Sequence, residues 1–269
     1  MIYETFEPPP PLAPYVRFFW VLEADVANGE EFVHRSMADG CVEIVFHYFG
    51  TFDEIESDGT RIVSPLSNIQ AQSTMFRRFS TNQSFGIFGA YLYPYAIPRL
   101  FNLPAYDLTN ISPDLGSVFG REGSLLEEQM ITAVDNTARV RIISDFLIDR
   151  LRIRQPDLPT IHHAIQTLLD AAGDIRIPTL AREHGLSLRQ FQRKFKEFAG
   201  LSPKTYSRVA RFQAATRHKF IGAHDLTEIA YTCGYYDQSH FINDFRQFSG
   251  YTPKEYFWAD AEGTQYMSA

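Results

Sequence analysis

The sequence predicts two domains: a mainly β N-terminal domain with trailing helices, and an all-α C-terminal domain built on one unit used twice. Three observations predict it. Up to about residue 110, short runs rich in Val, Ile, Phe and Tyr are separated by turn residues. From about residue 122 the apolar residues recur at the helical period instead. Within that helical part, FQRKFKEFAGLSPKTY (191–206) returns as FINDFRQFSGYTPKEY (241–256), and a fixed internal period marks a repeated supersecondary unit.

The chain has 269 residues, 45% of them hydrophobic, which is enough for two cores. Its 23 Phe and 14 Tyr make those cores aromatic. The strands expected are Tyr15–Leu22, Val42–Tyr48, Arg61–Ser64 and Ser84–Tyr93. Ile143, Phe146, Leu147 and Leu151 then share one helical face within 122–152. Two prolines without periodicity mark 154–159 as a linker, so the expected domains are 1–153 and 160–260, with 261–269 a loose tail. No run reaches the roughly 18–20 apolar residues of a membrane span, and the proline string Pro8–Pro11 stands where a leader's apolar stretch would be. Two distant cysteines, Cys41 and Cys233, support neither a disulfide framework nor a Cys-rich metal site. A cytoplasmic protein is expected.

Each copy of the repeat reads as helix–turn–helix. In the first, Pro178 suits an early helical position, Leu180 and Ala181 face inward, and Gly185 supplies a left-handed ending. Ser187 and Gln190 form a capping box that starts a second helix abruptly. At 100° per residue, Leu188, Phe191, Phe195 and Phe198 share one side, and Arg189, Gln192, Arg193 and Lys196 the other. In the second copy Asp225 and Glu228 form the box, Gly234 ends the first helix and Asp237 caps the next. Phe241, Phe245 and Phe248 form its buried side, with Gln238, Ser239 and Asn243 towards the outer face. Pro203 starts a connecting helix to about Lys219; at 1.5 Å per residue it spans roughly 24 Å and can hold two such units near 34 Å apart, one turn of B-DNA.

The charge pattern agrees. The whole chain carries −7, but Ser187 to Lys219 holds nine Lys or Arg against one acid, Glu197. Such a patch is the electrostatic footprint of double-stranded DNA binding. Guanidinium and amide groups bond guanine and adenine edges in the major groove, while Lys196, Lys204, Arg208, Arg211 and Lys254 are placed for phosphates.

The segments LSPKTY and IAYTCGYYDQSHFINDFRQFSGYTPKEY, with the doubled A-x3-G … F-x3-F … G-x-S/T-P-x-x-Y pattern, resemble the DNA-binding domain of the AraC/XylS family. The resemblance spans about 160–258. It implies a seven-helix domain with two helix-turn-helix units, the first dominating readout. Carried onto this chain, the base-reading positions are Arg189, Gln192 and Arg193, then Gln238, Ser239 and Asn243. Family members often carry a basic residue where Asn243 stands and an apolar one at Asp244. Asp244 is expected near the DNA side, where it would repel phosphate. The N-terminal segments YVRFFW, ADGCVEIVF and FGAYLYPYAIPRLF resemble the small cupin-like β-barrel sensor domains of such regulators. This implies a small-molecule effector, dimerisation or both, with RNA polymerase as partner of an activator.

Trp20, Phe46, Phe88 and Tyr91 are the candidate pocket residues, though strand alternation also fits simple core packing. Glu43 alternates with Val42, Ile44 and Phe46, so it is expected in solvent. Cys41 is expected to be a buried, inert thiol. His34 and His47 lack the His-x-His spacing of metal-binding cupins, so no cofactor, metal or enzyme activity is expected. The rival to an effector-controlled regulator is an effector-independent one, its N-terminal domain serving only oligomerisation or protein contacts.

Overall fold

The computed structural model describes residues 1–27, 29–152, 160–217 and 225–258; the expected linker 154–159, the end of the connecting helix at Lys219 and the tail 261–269 lie outside them. The N-terminal part is two antiparallel sheets packed face to face. One joins β1 (Ile2–Phe6), β2 (Val16–Ala24), β9 (Phe85–Leu92), β4 (Val42–Phe49) and β7 (Ser67–Gln70), in that order. The other orders β3 (Phe32–Ser36), β8 (Arg77–Thr81), β5 (Asp53–Ile55) and β6 (Arg61–Val63). Four of these strands fall where the hydrophobic runs predict them; β1, β3, β5, β7 and β8 were not expected.

Both faces of the first sheet are covered. Phe19, Val21, Ile44, Phe46, Phe88 and Ala90 face helices α1 (Ala96–Phe101), α3 (Arg121–Thr132) and α4 (Asn136–Arg152). Alternate residues, Leu22, Val45, Phe85 and Ile87, face the second sheet with Phe52 and Phe79. Within FGAYLYPYAIPRLF the last strand leads into a helix at Ala96, ahead of the helical period read from 122, and the short α2 (Leu115–Phe119) follows.

The C-terminal helices are α5 (Thr160–Asp170), α6 (Ile177–Glu183), α7 (Leu188–Ala199), α8 (Pro203–Arg217), α9 (Leu226–Thr232), α10 (Gln238–Ser249) and α11 (Pro253–Trp258). Gly185 and Gly234 end α6 and α9 at φ +67° and +74°, values a side chain resists. Ser187 and Gln190 make both bonds of the capping box, and Asp237 accepts from His240 N. Asp225 instead bonds Thr227 N, one residue short of the expected box. The repeat holds at the level of ring geometry. Phe195 meets Tyr206 edge-on at 5.4 Å and Phe245 meets Tyr256 edge-on at 5.2 Å. One hydrophobic cluster runs from Phe19 and Phe46 through Leu100 and Leu147 to Phe195 and Phe245, so the two parts share a core. No helix of the described residues is long and apolar enough to cross a membrane.

Candidate nucleic-acid interface and the cavity behind it

Helix α7 is anchored by Phe191 and Phe195, both fully buried, which leaves Arg189, Gln192, Arg193 and Lys196 exposed on its opposite side. Arg189, Gln192 and Arg193 make no hydrogen bond or ion pair among the described residues, so three donor-bearing side chains stand outward from a rigid helix. Leu188, expected on the aromatic side, is 43% exposed because the first helical position overhangs the turn. Phe198 is half-buried, edge-on to the His162 ring at 5.3 Å.

On α10, Ser239, His240, Asn243 and Arg246 are exposed and Gln238 half-buried. Asp244 does not face outward. It is 6% exposed and accepts from Arg208 Nε at 3.0 Å and from its terminal nitrogen at 2.6 Å. The reason is helical spacing: position 244 shares a face with Phe241 and Phe248 and turns towards α8. Arg208 also donates to Gln247 Oε1 at 2.9 Å. Arg211 lies 5.4 Å over the Tyr235 ring with a 3.5 Å contact to Gly234 O. These two arginines, expected at phosphates, brace the second unit against α8. Lys204 and Lys254 are exposed, and Lys196 is 5.8 Å from the centre of the Tyr106 ring.

The β domain grips both recognition helices at the same place, the glycine that ends each. Thr109 Oγ1 donates to Gly200 O at 3.1 Å, and a Cβ on Gly200 would stand 2.7 Å from that oxygen and 2.8 Å from Gln72 Oε1. A Cβ on Gly250 would stand 2.6 Å from the Phe76 ring and 2.7 Å from the Arg35 guanidinium. Arg35 also donates to Ser249 O at 3.3 Å and stacks 3.9 Å over the Tyr251 ring. Gln247 Nε2 donates to Thr74 O at 3.2 Å.

Residues 37–41 form a strap with two sides. Met37, Asp39 and Cys41 line a cavity of about 430 Å³ between the sheets. The alternate residues bond the helical domain: Ala38 N donates to Phe248 O at 2.8 Å, Gln213 Nε2 to Ala38 O at 2.6 Å, and Tyr206 Oη to Gly40 O at 2.9 Å. Gln213 and Thr216 of α8 border the cavity themselves.

Of the expected pocket residues, Trp20 lines this cavity. Tyr91 bonds Asp39 at its edge. Phe46 and Phe88 do not line it; they are cross-strand partners, 0% exposed, on the helix-covered face. Glu43 also departs from expectation. With helices on one face and a second sheet on the other, the parity opposite Phe46 is the cavity, and Glu43 points there. Burial pushes its carboxyl up to about 8, with Asp39 adding to the shift and the Trp20 indole beside it opposing. Burial holds His34 and His47 down at about 4, hence neutral, and raises the Cys41 thiol to about 12. No group of three or more His, Cys, Asp or Glu among the described residues is placed to hold a metal.

A helix-turn-helix family model matches residues 180–258. The transcriptional activator RhaS of Salmonella arizonae is 36% identical over 84 residues, as is that of Salmonella paratyphi B. In its C-terminal domain the chain is thus similar to a helix-turn-helix transcriptional activator. The match takes in 31% of this chain and 30% of the length of the curated relatives. Residues 4–113 match a domain of unknown function, DUF6597. The crystal structure of ToxT from Vibrio cholerae covers 90% of this chain and 97% of its own, at 13% identity and TM-score 0.46. Both of these relatives are transcriptional activators.

Proposed function

We propose that this protein is a sequence-specific transcription regulator that binds double-stranded DNA through both helix-turn-helix units, under the control of a small molecule held between its N-terminal sheets. The observation that carries the first part is the outward face of α7. Arg189, Gln192 and Arg193 stand exposed and uncommitted on a helix fixed by its aromatic side, and such groups discriminate bases bidentately. Gln238, Ser239 and Asn243 take the corresponding role on α10. Lys196, Lys204 and Lys254 supply phosphate contacts, which fix register and make affinity salt-sensitive. Arg208 and Arg211 contribute indirectly, by holding α10 in place.

The strap supports the effector part, since one side meets the cavity and the other bonds α8 and the end of α10. A ligand that shifts Asp39 also shifts Ala38. This favours effector control over a β domain that serves oligomerisation alone. RNA polymerase is the further partner such a regulator needs where it activates.

Selection of genomic fragments by the purified full-length protein at physiological salt tests the reading. Enrichment of an asymmetric site covering two successive major-groove segments is expected. Recovery of unenriched sequence would overturn sequence-specific binding by these helices.

A further inference from the structure

The cavity has a chemical character that narrows its ligand, given that it is the effector site proposed above. Its wall can be read from strand register. On the inward face of the large sheet, Phe18, Tyr91, Glu43 and Gln70 form one cross-strand row, and Trp20, Gly89, Val45 and Asn68 the next. A Cβ on Gly89 would lie 2.1–2.4 Å from three indole atoms of Trp20. One face of the indole therefore rests on Gly89, and the other meets the cavity.

Glu43 makes no ion pair among the described residues. The two arginines that approach the cavity are engaged elsewhere. Arg35 is held by Ser249 O and the Tyr251 ring. Arg17 lies over the Tyr91 and Tyr93 rings and reaches Cys41 Sγ at 3.7 Å. The cavity thus presents a buried carboxyl and a free aromatic face with no cation between them. Three further polar side chains border it, each more than nine-tenths buried and each with an atom lacking a hydrogen-bond partner: His47 Nδ1, Ser64 Oγ and Asn68 Oδ1. Protein interiors leave few such groups unsatisfied, and here they surround a space of the size that small ligands fill.

We infer that the cavity binds a small primary ammonium ion with an apolar tail, its charge against Glu43 and the Trp20 face and its N–H groups towards the unpartnered acceptors. A carboxylate counter-ion and an indole face together form a strong seat for a desolvated cation. Phe52, Phe79 and Ile87 give the tail an apolar wall. An anionic ligand would meet Asp39 and Glu43. A neutral one would sit beside a protonated Glu43 and gain no charge–charge attraction from it.

Binding of this kind displaces a proton. Glu43 titrates at about 8, with Tyr3, Asp39 and Tyr91 near it and no lysine or uncommitted arginine among the lining residues. Below that value the carboxyl is protonated, so affinity for an ammonium rises by up to about tenfold per pH unit from 6 to 8 and then levels.

Calorimetry on the full-length protein tests this with 2-phenylethylamine as probe, 2-phenylethanol as neutral isostere and 3-phenylpropanoate as anion. The amine is expected to bind most tightly, with the stated pH profile. Glu43→Gln should weaken it about 10- to 100-fold and leave the alcohol unchanged. Trp20→Leu should weaken the amine as well, and the wild-type pH profile needs no variant to fold. Preference for the alcohol, an amine indifferent to Glu43→Gln, or no binding by any probe overturns the inference. DNA affinity with each bound probe separates the two readings. An alcohol that binds more tightly than the amine and alters DNA affinity overturns the cation and leaves effector control standing. A bound amine without effect on DNA overturns effector control alone.

Discussion

Phe195 and Phe245 occupy the same place in the two helix-turn-helix units, each fully buried and each edge-on to a tyrosine eleven residues later. Arg193 and Asn243, two residues earlier, also occupy the same place, yet one carries a guanidinium and the other a short amide. The pattern continues beside them, with Lys194 in the first unit and Asp244 in the second. Packing had one solution, used twice. The surfaces diverged, the first towards positive charge and the second towards an acid turned inward on Arg208. In the reading proposed above, the first unit attracts and reads DNA, while the second is held in place by α8 through Asp244 and Arg208.

The largest expected effect tests the shared core. Phe195→Ala and Phe245→Ala should each cost about 3–5 kcal/mol in chemical denaturation, the range for emptying a buried aromatic site. Unequal costs, with one unit barely affected, would break the equivalence. The next tests the inward acid. Asp244→Ala should cost about 2 kcal/mol, less than the ~3–5 kcal/mol of a fully buried pair, because the Arg208 side chain keeps 33% of its surface in solvent. Lys194→Ala, at the matching position, should stay within about 0.5 kcal/mol. The third compares readout by fluorescence anisotropy on a selected site. Arg193→Ala should lose about 1–3 kcal/mol of binding and relax one base position. Asn243→Ala should lose under about 1 kcal/mol. In the same titrations Lys204→Ala should weaken all sequences evenly and reduce the salt slope by about one. If Arg193→Ala and Lys204→Ala behave alike, the division between base and backbone contacts fails.

The helical half was legible because its signals are local and doubled. Ser187 with Gln190 and the Phe191–Phe195 spacing each name a structural event within one turn. The same spacing also contained what was misread. Position 244 falls on the stripe of 241, 245 and 248, and that alone places Asp244 inside. Arg208 and Arg211 look like phosphate ligands in the sequence because charge alone does not show partners 36 and 23 residues away. In the β half, β7 (SNIQ) and β8 (RRFST) lack the alternation that marks a strand, because neighbouring strands and not their own side chains hold them. Alternation places Glu43 in solvent only where a sheet is covered on one side. A sheet covered on both faces reverses that inference, and with it the division of Trp20 from Phe46 and Phe88.

The clasp on Gly200 and Gly250 has a bearing on the DNA rather than on the protein. Both helix ends are fastened to one neighbouring body through Gln72, Phe76, Arg35 and Thr109, much as the jaws of a caliper are fixed to one bar. The angle between the two reading heads is then set before any duplex arrives. Two half-sites fit this tool when they share its rotational phase. Moved apart by half a helical turn, about five base pairs, they lie on opposite sides of the double helix, and a chain fastened in this way reads one of them at a time.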